Sequence, residues 1–185
     1  MKQRMLLLLL SFALALSLCA CAAQTVEQRT QGTAASEAEP GSSDSTETTV
    51  TFTTRAASIM GSGCKADGAA VTISESGTYR LTGSCEDGSV TVKKRTTGVR
   101  LILDSLTLTS ADSACIVCGK GSEVTIEAAS GTHSTLCDTE RNNNDTYPSN
   151  DNAENAVSKC QDGSQVTFCG TGTLTITANG KNGVK

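Results

Sequence analysis

The chain has 185 residues, with 15 Lys and Arg against 19 Asp and Glu, a formal net charge of −4. That balance argues against a nucleic-acid partner, because phosphate binding needs a basic footprint. There is no Trp and there are only two Tyr, so the exposed aromatic faces that usually grip neutral sugars are scarce.

Residues 1–20 read as a targeting segment. Lys2 and Arg4 form a positive start, and residues 5–18 an apolar run of signal-peptide length. A membrane span needs about 20 apolar residues, so the run is too short for one. The following L-C-A-C resembles a bacterial lipobox. Cys21 is the lipidation candidate, since small Ala20 precedes it whereas bulky Leu18 precedes Cys19. Two acyl chains on Cys21 would anchor the protein stably to the extracellular face of the membrane. Residues 21–55, rich in Ser, Thr and Glu, read as a disordered tether. The folded domain is expected at 56–185.

That domain shows no helical apolar stripe. It carries short alternating runs of β-branched residues bounded by Gly, Ser, Asp and Asn: 71–73, 90–92, 99–103, 106–108, 114–118, 124–126, 134–137, 156–160, 166–168 and 174–176. They group in triplets, and Val99 to Val124 is 25 residues while Val124 to Val166 is 42. A period of this length predicts a right-handed parallel β-helix, a β-solenoid with one coil per triplet and stacked apolar ladders inside. A β-sandwich is the competing all-β fold, but its strands are longer. The chain stops at Gly183, Val184 and Lys185 inside an apparent strand, so the solenoid is expected to be C-terminally truncated.

Seven of the nine cysteines fall in the domain, an odd number that cannot pair completely within one chain. Cys115 and Cys118 have CxxC spacing, yet on a strand residues i and i+3 point to opposite faces. The cysteines are expected as small buried hydrophobes. Cys118 and Cys160 fall at matching places in successive coils. His133 is the lone histidine, in a turn, without neighbours marking a triad. No G-x-S-x-G or phosphate loop occurs, and no catalytic residue is assigned.

Residues 138–155, DTERNNNDTYPSNDNAEN, interrupt the strands. Eleven of these eighteen residues are Asp, Glu or Asn, and five acids stand against one Arg. Hard oxygen donors at this density are what Ca²⁺ selects, although a solvated insertion has the same composition. Asp145 and Asp151 are candidate metal ligands on composition. Tyr147 is a local packing anchor or a sugar platform. A uronate polymer would need less aromatic stacking, because Ca²⁺ held by the loop could bridge to its carboxylates.

The motifs also resemble a known family. Residues 71–73 (VTI) with 77–83 (GTYRLTG), 99–103 with 106–108, the order Leu136, Asp138, Tyr147, Glu154-Asn155-Ala156, and the run 158–174 are similar in sequence and spacing to a family of bacterial carbohydrate-binding β-helix proteins. The resemblance covers about residues 70–185. It implies a pectate-lyase-like fold, calcium binding, and binding of acidic or cellulosic plant polysaccharide at the bacterial surface. On matching positions it implies Asp138, Glu154 and Asn155 as metal ligands.

The expectation is therefore a lipid-anchored surface protein whose calcium-binding domain holds polysaccharide without catalysis, with Tyr147 and Lys159 as substrate-binding candidates. A pectate-type lyase is the alternative. It would need a basic residue such as Lys159 or Lys181 near a calcium-bound uronate to remove its α-proton. A structural adhesin without a glycan ligand is a further one.

Overall fold

The computed structural model describes residues 47–185. The targeting segment, Cys21 and most of the expected tether lie outside them. The described residues form strands and no helix: β1 (Thr48–Thr53), β2 (Ala56–Met60), β3 (Cys64–Asp67), β4 (Ala70–Ile73), β5 (Gly77–Cys85), β6 (Ser89–Val92), β7 (Val99–Ser110), β8 (Ile116–Cys118), β9 (Glu123–Ala128), β10 (His133–Asp138), β11 (Ser158–Cys160), β12 (Gln165–Gly170) and β13 (Thr173–Thr177). Each expected apolar run overlaps a strand, although Ala114, Cys115, Ala156 and Val157 lie just before β8 and β11. Along β4, Val71 and Ile73 are sealed in the core while Thr72 between them faces outward.

Two mixed sheets result. The larger has the order β12-β9-β7-β5-β1-β2, with β10 pairing both β7 and β13. The smaller has the order β11-β8-β6-β4-β3. Side chains in register stack between strands: Tyr79, Leu101, Ile126 and Phe168 form one row, and Val71, Val90 and Ile116 another. Each fully buried Leu, Ile or Val in such a row contributes about 1.5–3 kcal/mol of transfer free energy. Tyr79 is 1 % exposed, and its hydroxyl donates to the Glu75 carbonyl at 2.9 Å, so its polar end is satisfied inside the core.

The expected parallel β-helix is corrected by this topology. The fold is all-β, but it consists of two mixed sheets in which β1 pairs β2, and β3 pairs β4, antiparallel. Tight turns after Thr53 and after Asp67, the latter with Gly68 at φ 58°, reverse the chain there. The three-strand unit also fails. Residues 99–103 and 106–108 were expected as separate strands, but they form the single twelve-residue strand β7. Ser105, at φ 54°, lets the backbone bend at that point without ending the strand. The neighbouring strand matches it with a register shift at Thr82/Gly83. Gly83 is obligatory there: its φ is 94°, and an added Cβ would lie 2.1 Å from the Phe52 carbonyl oxygen.

The fold also starts before residue 56. Val50 and Phe52 of β1 are 0 % and 2 % exposed and belong to the core.

All seven cysteines of this region are free thiols. Cys115 and Cys118 are fully buried. Burial pushes both thiols up to about 12. Cys118 and Cys160 are register partners on β8 and β11.

Candidate functional site

The strands of the smaller sheet are short, and their two ends carry different chemistry. At the N-terminal ends of β4, β6 and β8 the chain arrives from Asp67, the last residue of β3, and from bends containing Asp87 and Asp112. The 138–155 loop folds back over this edge. Together they line an open cleft of about 570 Å³ that includes Asp67, Asp87, Ser110, Asp112, Asp151 and Glu154. Five carboxylates thus share one cleft with serine hydroxyls, a surface that repels anions and attracts cations.

The loop is held by a buried polar knot. Asp138 is 1 % exposed at the end of β10, and Asn142 is 0 % exposed. Asp138 Oδ1 accepts the backbone N–H groups of Asn179 (2.7 Å) and Gly180 (3.1 Å), and its Oδ2 accepts from Asn142 Nδ2 (2.9 Å). Asn142 Nδ2 also donates to the Ala156 carbonyl, and Asn142 Oδ1 accepts from the backbone of Glu154 and Asn155. A buried carboxylate and a buried amide therefore satisfy each other and both strands of the loop's base. Above the knot, Arg141 donates to Asp112 at 2.6 Å, and Asn150 donates to the Asp112 and Arg141 carbonyls.

The five expected metal ligands consequently separate. Asp151 and Glu154 line the cleft. Asp138 is consumed by the knot. Asp145 is ion-paired with Lys181, which holds its carboxyl below the usual range. Asn155, in the left-handed conformation at φ 60°, accepts the Asn144 N–H through Oδ1 at 3.1 Å. Among the described residues, no group of three or more His, Cys, Asp or Glu is close enough to hold a metal by itself.

Tyr147 is engaged within the loop. Its hydroxyl donates to Glu140 at 2.8 Å, and the Arg141 guanidinium lies 5.8 Å from its ring centroid. Lys159 sits on β11, in register with Val117, and does not line the cleft. His133 shares a hydrogen bond with the Thr175 hydroxyl at 2.9 Å. The cleft residues that sequence reasoning missed are Asp67, Asp87 and Asp112. Each is an Asp at or beside the end of a strand, a residue type common in turns, and Asp87 accepts the Ala111 N–H at 3.0 Å.

Comparison with known proteins fits this picture. A solved structure described as the polysaccharide lyase-like protein from C. thermocellum, in a gadolinium derivative, is similar to this chain with a TM-score of 0.63 and 27% identity. The likeness covers 75% of this chain and 55% of that one, so the chain spans about half the length of that neighbour. No curated protein matches. The family model described as carbohydrate-binding domain-containing protein matches residues 67–185, well over half of the sequence. The chain belongs to the carbohydrate-binding domain-containing protein family.

Proposed function

We propose that this domain binds polysaccharide without cleaving it, on the outer face of a bacterial membrane to which an acylated Cys21 tethers it. The observation that carries the reading is the acidic cleft at the edge of the smaller sheet, within the region matched by the carbohydrate-binding family. Carboxylates and hydroxyls in one open groove offer a sugar many acceptors. An acidic glycan would be repelled by the same groove unless a cation lay between, and Ca²⁺ suits hard oxygen donors of this kind. Asp151 and Glu154 would hold the ion. Oxygens of the glycan would complete the six to eight that calcium takes, since no three of the described acids are close enough together to hold a metal by themselves.

Lyase activity is the second reading, favoured by the description of the structural neighbour. Removal of a uronate α-proton needs a base at the bound sugar. Among the described residues no Lys lines the cleft, and Arg141 at its rim is committed to Asp112. Lys181 is committed to Asp145. Binding is therefore the better-supported function.

Thermal unfolding of the full chain in Ca²⁺ and in EDTA tests the calcium element. Calcium is expected to raise Tm by mass action, and D151N/E154Q is expected to abolish the rise. An unchanged Tm would remove calcium from the reading and leave polysaccharide binding to be tested alone.

A further inference from the structure

The opposite ends of the same short strands carry a second, unlike feature. Three turns leave β6, β8 and β11 with one repeated pattern: Lys94-Arg95-Thr96, Lys120-Gly121-Ser122 and Asp162-Gly163-Ser164. The middle residue of each is left-handed, with φ of 60°, 69° and 71°. Within each turn the third residue's N–H returns to a carbonyl, Thr96 to Lys93, Ser122 to Gly119 and Ser164 to Gln161. Between turns, the Arg95 N–H donates to the Lys120 carbonyl at 3.0 Å and the Gly121 N–H to the Asp162 carbonyl at 3.1 Å. The turns are thus stacked in register as a column.

They line a trough of about 490 Å³ formed by Lys94, Arg95, Lys120, Gly121, Asp162 and Gly163. Gly121 and Gly163 leave backbone as its floor. The Arg95 Cγ passes 3.8 Å from the place of a Gly121 Cβ, and nothing lies within 4 Å of that at Gly163. Three cations face one acid. The Lys120–Asp162 contact is 3.9 Å long between side chains that are 71% and 93% exposed, so it holds neither group in place. Among the described residues, Lys93, Lys94 and Arg95 take part in no ion pair. Behind the floor, the hydroxyls of Ser122 and Ser164 are buried without a hydrogen-bond partner.

Arg95 is the telling residue. Its two counterparts are glycines, which adopt a left-handed φ without strain, whereas an arginine there is strained and contributes a guanidinium to the trough. Strain retained at one position of a repeat points to a role for its side chain.

We infer that this trough is an anion-binding site, separate from the acidic cleft, that takes the oxyanion substituents of a linear glycan laid along the column of turns. Successive turns are about 4.8 Å apart, the spacing of neighbouring strands, so substituents on successive sugars meet Arg95 and then Lys120. Arg95 offers a planar fork to a carboxylate or sulfate, and Lys94 and Lys120 act as point charges. The inference extends the polysaccharide-binding reading to a second site and needs no calcium. The trough and the cleft lie at opposite ends of three- and four-residue strands, about 10 Å apart by strand length, so one glycan chain could engage both.

The test is affinity electrophoresis of the full chain in EDTA, through polygalacturonate, dextran sulfate or neutral dextran, at low and at physiological ionic strength. Polygalacturonate and dextran sulfate separate carboxylate from sulfate as the anion recognised. Retention by at least one charged polymer, weakening with salt, is expected. R95G installs the residue its counterparts carry and so preserves the fold; it should weaken retention roughly ten-fold, as should K94Q/K120Q. K65Q, which removes an exposed cation that lines neither the trough nor the cleft, should leave retention in EDTA unchanged, which separates capture by the trough from an effect of net charge. No retention by either charged polymer in EDTA would overturn the inference, as would retention indifferent to both trough variants. Preferential binding to anionic vesicles that is lost in R95G would also overturn it, by making the trough a membrane contact.

Discussion

Asn142 donates to Asp138 Oδ2 at 2.9 Å, and both side chains are sealed from water. This pair joins the end of β10 to the base of the polar loop, and through Asp138 Oδ1 to the backbone after β13. It turns a segment with almost no apolar residues into an ordered cover over the acidic cleft. The loop is positioned by internal polar satisfaction rather than by a core of its own.

Asn142→Ala should therefore be costly. It strands Asp138 Oδ2, the Ala156 carbonyl and the N–H groups of Glu154 and Asn155, and unsatisfied buried groups cost about 1–3 kcal/mol each. A loss of roughly 3 kcal/mol or more in urea unfolding is expected, with loss of whatever binds the cleft. A loss below 0.5 kcal/mol, within the range of an ordinary surface change, would mean that the loop is held by something else.

Gly83→Ala is expected to destabilise by about 3 kcal/mol, because it combines a left-handed φ with a collision against the Phe52 backbone. The same replacement at Gly131, where an added Cβ meets nothing within 4 Å, should cost less. Paired denaturant curves would check the order.

The buried thiols set an alkaline limit. Cys115 and Cys118 are raised in the folded state from 9.0 to about 12, chiefly because burial disfavours the thiolate. Their contribution to stability is complete below pH 9, the unfolded value, and is lost as pH rises towards 12. In that window stability should fall by up to about 1.4 kcal/mol per pH unit for each thiol. Cys115→Ala/Cys118→Ala should flatten the fall. In native protein at neutral pH, exposed Cys169 should alkylate first, and Cys115 and Cys118 only after unfolding. Peptide mass mapping reads this directly.

The strand positions were legible because inward and outward residues alternate along them, as in Val124-Thr125-Ile126 and Val166-Thr167-Phe168. The way the strands combine was not. Asp104 and Ser105 look like a break between strands, yet a positive φ at Ser105 carries β7 through. The reversals after Thr53 and Asp67 depend on turn geometry that composition does not encode.

At the site, composition marked the 138–155 loop but not the division of labour within it. A carboxylate or amide oxygen can serve a metal or a backbone N–H equally well, and Asp138 and Asn142 serve the backbone. Arg95, Gly121 and Gly163 lie at the same repeat spacing as the strands they follow, and Asp67, Asp87 and Asp112 within one residue of the spacing of theirs. Their alignment emerges only once the register is known.

The most direct test of binding without cleavage is to incubate the full chain with polygalacturonate in Ca²⁺, following association with the polymer and the absorbance of unsaturated uronate together. Association with no rise in absorbance and no shortening of the polymer is the expected result. A rising absorbance that depends on the protein would make it a lyase, and the absence of any association would contradict the proposed function for this acidic glycan.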